Sequence, residues 1–433
     1  MIYKDTQAPP NTEDILQAGD SSEMMECGAM PHQAPAREWS ILTILVGVHF
    51  IHIMDFMIMM PLGPQFMRLF EITPPQFGFL VSIYTFSAGL CGFFAAFVID
   101  RFDRKTVLIV LCGGFATATL LCALAPNYPM LLVARAIAGA FGGMMGAVVF
   151  SIIGDIIPEY RRGAATGTVM SAFSLAAVVG LPIGLFLANL SDWRAPFFFL
   201  TVLGVLIIAA AWRALPPLRG HLEHQRESNP LQQFRTIFFN RNHLNAFALI
   251  TMLMFAGFSV IPFISLYMVA NVGLAETDLP YLYFFGGLTT FFTARWIGRY
   301  ADRHGKRKVF GIIAVISIAP ILLVTHLSKV PVILAIGATT LFMIFVSGRF
   351  VPAMALIISS VEPRLRGSFM SFNASVQQIA AGFASLMAGS IMGKSAAGEL
   401  TRFGTVGIIA AVSTILCIFL SARLRSADER AIK

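Results

Sequence analysis

The residues best placed to do chemistry are His49, His52 and Asp55, titratable groups inside an apolar run from Trp39 to Met60. At about 100° per residue they fall within roughly a third of a helix circumference, so one face carries all three. Such groups cost roughly 3 kcal/mol or more at membrane depth, and they face a protein interior or a watery cavity. Arg135 stands in another apolar run. A guanidinium keeps its proton, so it needs a carboxylate, carbonyls or water beside it. Asp55 lies six residues before Pro61 and Arg135 six after Pro129, which puts each about 9 Å from its helix end at about 1.5 Å per residue. Equal depth makes them a candidate ion pair in which Asp55 carries a proton, Arg135 holds the carboxylate ready to release it and His52 assists as a relay. A permanent structural pair is the alternative, and for His49 simple packing is the plainer role.

These groups require helices that cross a bilayer, and the composition supplies them. The chain has 433 residues, is 57% hydrophobic and 12% charged, and repeats apolar runs of about twenty residues, the length that spans roughly 30 Å of hydrocarbon. Breaks at Pro, Gly and charge predict twelve spans. Six lie near 39–60, 76–99, 106–125, 130–157, 164–190 and 195–214, and six near 243–270, 281–298, 309–327, 332–360, 368–393 and 403–424. The expected organisation is a tail over 1–38, a bundle over 39–214, a linker over 215–241, a second bundle over 242–425 and a tail over 426–433. The first tail, with few large hydrophobes, reads as disordered and carries no evident export signal.

The net charge of +8 reads as topology. Its basic residues are scattered through short connections and form no patch for nucleic acid. Placing both termini in the cytoplasm puts most Lys and Arg on that side, as retained positive charge requires. The five cysteines show no ligand-like spacing, no metal or cofactor motif appears, and neither HExxH, GxSxG nor a phosphate-binding loop argues for an enzyme.

The two halves repeat in the same direction. Asp100, Arg101, Arg104 and Lys105 follow the second span, and Asp302, Arg303, Lys306 and Arg307 follow the eighth, 202 residues later. Gly163, closing the loop after the fourth span, has its counterpart in Gly367 at an offset of 204. Nearly equal offsets at two landmarks argue for a duplicated six-helix unit.

The second-half loop, from Gly298 through Asp302, Arg303 and Gly305 to Arg307, matches the loop signature of the major facilitator superfamily. Here the chain resembles that family from Trp39 to Arg425, and within it the bacterial drug and sugar (arabinose-type) efflux permeases. The resemblance implies an all-α polytopic membrane protein of twelve transmembrane helices arranged as two parallel-repeated six-helix bundles. In the first half, Ala96 and Asp103 replace two signature glycines, which alters the turn. By resemblance, Asp100 meets the start of the eleventh helix near Gly367, and Asp302 the start of the fifth near Gly163, when the cytoplasmic side closes. A carboxylate stabilises such a helix start. Asp155 is a candidate partner for Arg101 or Arg104 in the same gate. The plainer reading makes these loops retention charges only.

Arg135 followed by Gly139, Gly142 and Gly143 resembles a second family signature, spaced for close helix contact. Gly180, Pro182 and Gly184 resemble the signature of proton-coupled antiporters, a kinked helix packed across the interface between halves. Candidates for the substrate cavity are His49, Phe255, Phe258, Tyr267, Arg349, Asn373 and Gln377. Arg349 is open between an anionic substrate group and carbonyl partners.

The expected function is secondary active transport by a monomer in the bacterial inner membrane. It would export a small organic solute, drug-like or sugar, in exchange for protons by alternating access. An uptake symporter or facilitator uses the same fold and signatures, and a membrane sensor or scaffold would leave the buried charges unexplained.

Overall fold

A computed structural model describes residues 35–218, 230–362 and 365–425, without the side chains of 35–37, 96–98, 100 and 230–233. The first tail up to residue 34, the second tail, residues 219–229 of the linker, Cys27, Arg364 and the side chain of Asp100 therefore lie outside what is described, while residues 35–38 of the expected tail are helical. Among the described residues, ten helical rods are long and apolar enough to cross a membrane. Two further helices of 26 residues, Leu279–His304 and Arg366–Ile391, are as long but more polar, and bring the rods to the expected twelve.

The first half comprises α1 (Pro35–Ile58), a short α2 (Gly63–Leu69), α3 (Pro74–Val98), α4 (Arg104–Ala123), α5 (Tyr128–Ile156), α6 (Glu159–Leu175), α7 (Leu181–Leu190) and α8 (Ala195–Ala214). A helix α9 (Pro230–Phe238) follows in the linker. The second half comprises α10 (Arg241–Phe258), α11 (Ile264–Tyr267), α12 (Leu279–His304), α13 (Lys306–Thr325), α14 (Val332–Gly348), α15 (Phe350–Ser359), α16 (Arg366–Ile391) and α17 (Phe403–Arg423). A two-residue hairpin, β1 (Gly393–Lys394) with β2 (Leu400–Thr401), precedes α17.

Local chemistry sets the helix starts. Before α3 the Thr73 amide donates to the Gln76 side chain at 2.8 Å, ahead of two prolines that fit a first turn. Asn127 caps α5 by accepting from the Met130 amide at 3.0 Å, and Asp103 caps α4 through the Thr106 amide at 3.3 Å. Large side chains such as Val202, Leu206, Phe292, Ile333 and Phe419 are exposed along the rods, the outward apolar surface a bilayer would cover.

The repeat is visible in matching contacts. Arg162 Nε donates to the Ile157 carbonyl at 3.0 Å, and Arg366 Nε, 204 residues on, to Val361 at 3.2 Å. Lys105 Nζ donates to the Leu215 carbonyl at 2.6 Å past the end of α8, while Arg307 donates to that of Leu424 past the end of α17. In both halves a cation in a rod's first turn thus satisfies a carbonyl that follows the last rod.

Two seams join the halves. Along the first, α3 lies against α16 so closely that a Cβ on Gly78 would stand 2.7 Å from the Ser385 carbonyl oxygen, and one on Gly89 3.0 Å from that of Ser375. The Ser82 hydroxyl donates across it to the Gly382 carbonyl at 2.8 Å. Small residues permit such backbone approach, and a polar bond in lipid surroundings adds to it.

At the second seam, α12 meets the wide π-helical turn of Ala176–Gly180, where a Cβ on Gly287 would fall 2.7 Å from the Ala177 carbonyl oxygen. The segment carrying Gly180, Pro182 and Gly184 thus lies against α12 of the other half, while its two glycines turn elsewhere. Their open sides face Met54, Phe50 and Ile58 of α1 within their own half, and the crossing is made by Gly287 from the other side. The π turn ends two residues before Pro182, whose missing N–H releases one backbone bond there.

Candidate functional site

Asp55 and Arg135 meet. Arg135 Nη1 donates to Asp55 Oδ2 at 2.6 Å, and the residues are 0% and 1% exposed. Thr119 of α4 donates to the other carboxylate oxygen at 3.3 Å, and the Arg135 guanidinium lies 4.3 Å over the ring of Tyr84 from α3. Charge, hydrogen bond and ring face together offset the desolvation of both ions. Arg135 Nε alone has no partner.

Glycines bring these elements within reach. A Cβ on Gly139 would sit 2.2 Å from the Tyr84 carbonyl oxygen, so α5 can touch the α3 backbone only with glycine there. At Gly142 a Cβ would meet His52 Nδ1 and the Tyr84 hydroxyl, both at 2.7 Å. Into that gap fits the pairing of Tyr84 Oη with His52 Nδ1 at 3.0 Å. Tyr84 thus touches both the imidazole and the guanidinium. Sequence reasoning passed over Tyr84 and Thr119, although a lone Tyr and a Thr in apolar helices were the available signals.

His49, His52 and Phe56 share one stripe of α1. Phe56 stacks on Tyr84 at 5.3 Å and reaches Phe258 of the second half at 5.9 Å. The stripe therefore faces the other bundle. His49 and His52 are half-buried on it, with Phe150 at 5.8 Å from His49. Phe255 lies one turn from Phe258, and Gln377 and Gln378 of α16 are likewise half-buried. Imidazoles and aromatics of α1, α3 and α10 meet here, with Phe56 closing against Phe258.

Two cavity candidates bond within their own bundle, and a third is sealed from solvent. Tyr267 donates to the Leu327 carbonyl at 2.9 Å and packs at a tilt on Phe403 at 4.7 Å, which makes it a tie between rod ends of its own bundle. Arg349 has no exposed surface and gives Nη1 to Ser317 of α13 at 3.0 Å and to Thr414 of α17 at 2.7 Å. Asn373 is fully buried, and neither atom of its amide has a partner. The periodicity that put these residues on a helix face could not say which neighbour that face would meet.

The two faces of the bundle differ. On the face opposite the chain ends, Arg68 of α2 forms an ion pair with Glu276 across the two halves. The Glu276 carboxylate, by hydrogen bond and charge, holds that guanidinium above its ordinary pKa. Phe77 packs on Phe263 at 5.7 Å beneath it. On the face bearing the chain ends, contact between the halves continues as far as Phe93 and Phe372, 5.3 Å apart, with Phe234 of α9 seated on both.

Beyond that lie the expected gate residues whose side chains are described. Asp302 and Arg303 are exposed, and a Cβ on Gly163 or Gly367 would meet nothing within 4 Å. Arg104 pairs with Asp155 within the first half, while Arg101 is exposed. Asp103, at a position where the family signature has glycine, accepts from the Leu218 amide at 2.7 Å and so fastens the linker to its own half.

Comparisons with known proteins agree with this architecture. The family model described as Major Facilitator Superfamily matches residues 45–294 and 246–433. The MFS-type transporter YceJ of Bacillus subtilis (strain 168) is 25% identical over 395 residues, covering 89% of this chain and 97% of that protein. A "Probable sugar efflux transporter" of Helicobacter pylori (strain G27) is 24% identical over 58% of this chain and 63% of its own. Among solved structures, a D-xylose-proton symporter superposes with a TM-score of 0.72 at 14% identity, covering 88% of this chain and 97% of that one. A bacterial homologue of the lysosomal transporter Spinster, in an inward-facing conformation, gives 0.66 at 15%, covering 92% and 95%. At such identity the likeness is one of fold. The chain is a multi-pass membrane protein and belongs to the major facilitator superfamily of transporters.

Proposed function

We propose that this transporter is a proton-coupled antiporter of the bacterial inner membrane, with both termini cytoplasmic, that exports a small organic solute. The observation that carries the reading is the fully buried Asp55–Arg135 pair lying behind a half-open His52. A carboxylate in that position can be neutral or charged only by exchanging a proton with the space between the halves. Protonation removes the attraction to Arg135, so the proton changes how α1 and α5 hold together.

With the chain ends in the cytoplasm, the conformation described here is closed outside by Arg68–Glu276 and open inside at Asp302. Solute enters between His49, Phe255 and Gln377 while Asp55 is ionised. The halves then rock, the outer pair opens, and a proton reaching Asp55 through His52 accompanies solute release. Return of the proton to the cytoplasm resets the cycle. The walls, aromatic with amides and imidazoles and without an unpaired charge among the described residues named, suit a neutral amphipathic solute such as a sugar or a drug-like compound. The sugar efflux relative supports export.

The test is proton movement in inverted vesicles carrying a preformed gradient. Addition of a transported solute dissipates the gradient with the wild-type chain and leaves it intact with Asp55→Asn. Equal dissipation by both would refute the assignment of Asp55. An uptake symporter would acidify the opposite compartment.

A further inference from the structure

The cations at the start of α13 are not matched by acids as their first-half counterparts are. Arg104 and Lys105 correspond to Lys306 and Arg307, 202 residues on, and Asp103 corresponds to Gly305. At the offset of 204 shared by Arg162 and Arg366, Asp155 corresponds to Ser359. In the first half Asp155 pairs with the buried Arg104, and Asp103 accepts from the Leu218 amide. The second half has therefore kept the cations without either carboxylate. It also carries one cation more, since Lys308 stands where the first half has Thr106.

Where those acids are missing, the structure has space. A cavity of about 630 Å³ opens on the face bearing the chain ends, between the start of α13, Ser359 of α15 and Arg425 past α17. Gly305 and Ser359, the two positions without a carboxylate, both line it. So do Lys306, Arg307, Lys308 and Arg425, four cations against the single carboxylate of Asp302. Among the described residues, no ion pair joins any of the four to an acid. Arg307 donates to the Leu424 carbonyl, which leaves its charge uncompensated. The Ser359 hydroxyl donates to the Leu356 carbonyl at 2.9 Å and brings no charge in place of Asp155. The frame is held from behind, where the buried Asn242 clamps the Arg425 backbone by bonds of 2.8 and 3.0 Å. Small-molecule sites usually measure about 300–1,000 Å³, so the space suits more than a single ion.

We propose that this cavity binds a phosphate group in place of the two missing carboxylates, borne by the headgroup of an anionic phospholipid or by a small soluble phosphate. A phosphate presents several acceptor oxygens at once, which suits ammonium and guanidinium groups contributed by two different elements. Basic cavities between rods at a membrane surface take such headgroups. The flanking rods α13 and α17 turn Ile312, Val315 and Phe419 outward, which puts lipid beside the opening. Neither the direction of transport nor its coupling to protons enters this inference.

The experiment is thermal unfolding of the purified full-length protein in a neutral detergent at constant pH and ionic strength. In one arm inorganic phosphate replaces gluconate stepwise, and in the other phosphatidylglycerol replaces phosphatidylcholine in mixed micelles. The wild-type midpoint rises saturably by several degrees in at least one arm. A rise with phosphatidylglycerol alone identifies the headgroup as the source, and one with inorganic phosphate a soluble anion; either supports the site. Ser359→Asp, which returns the first half's carboxylate, abolishes the rise, whereas the uncharged Ser359→Asn keeps it. Arg235→Gln, which removes a cation of α9 outside the cavity, keeps it as well. If Ser359→Asp does not fold, the double change Lys306→Gln with Lys308→Gln gives the loss, read as a half-saturating concentration raised at least tenfold. No rise in either arm overturns the inference, as does an equal rise with chloride. So does an unaltered response in Ser359→Asp or in the double lysine variant, or a loss in Arg235→Gln as large as theirs.

Discussion

Neutralising one member of the Asp55–Arg135 pair strands the other without water. Asp55→Ala is therefore expected to cost about 3–5 kcal/mol of stability, whereas the double change Asp55→Leu with Arg135→Met restores most of it, because apolar packing replaces both ions. Thermal melts in detergent check this. The double variant also separates structure from function, since it folds without the proton site and is expected to transport nothing. Tyr84→Phe keeps the ring under Arg135 and removes the hydroxyl on His52. It should cost about 1 kcal/mol of stability and alter the pH profile of transport, because the imidazole loses its fixed partner. A pH profile identical to wild type would remove Tyr84 from the coupling path. Asp55, Arg135 and His52 were legible because charge inside an apolar run has few bland explanations. Tyr84 was not, because a tyrosine in a membrane helix has many.

Among the elements, the seams between halves are the parts most sensitive to one added methyl. Gly287 faces backbone atoms of Ala177 that cannot step aside, so Gly287→Val should separate α12 from the π turn. Expected is a chain that inserts and folds but transports poorly, measured by solute flux against an unchanged far-ultraviolet spectrum. Unimpaired flux would show that this seam is not needed in the cycle. The rods themselves were readable from apolar length, including their order and the 202-residue repeat. Which glycine met which helix was not, since Gly180, Gly184 and Gly287 look alike in sequence and only packing assigns them. Likewise Tyr267 and Arg349 could be placed on their helices, but not matched to the Leu327 carbonyl or to the hydroxyls of Ser317 and Thr414. The break at Arg349 and the π turn at Met268–Val272 rotate the rods away from simple periodicity. The seven-residue α2 and the hairpin went unforeseen because they are too short to leave a periodic pattern.

At the scale of the whole molecule, the described conformation joins the halves at the Arg68–Glu276 face and leaves Asp302 exposed and Gly163 without a close neighbour at the other. The exposed ion pair is worth only about 0.2–1 kcal/mol. Such an amount suffices to bias two states of similar energy. Arg68→Glu should populate the opposite conformation, seen as a longer spin-label distance across that face, and Arg68→Glu with Glu276→Arg should return it. Because Arg68 stays protonated far above neutrality, its side of the latch gives no pH dependence in the physiological range. Asp302→Asn touches a side chain exposed in this state, so the melting temperature should hold within a degree or so while transport slows. The account as a whole rests on Asp55 exchanging a proton during each cycle. The direct measurement is solute-driven collapse of a proton gradient in inverted vesicles with purified wild type and Asp55→Asn side by side. Collapse by wild type alone is the predicted result. Collapse of equal rate in Asp55→Asn would contradict it, whatever solute is carried.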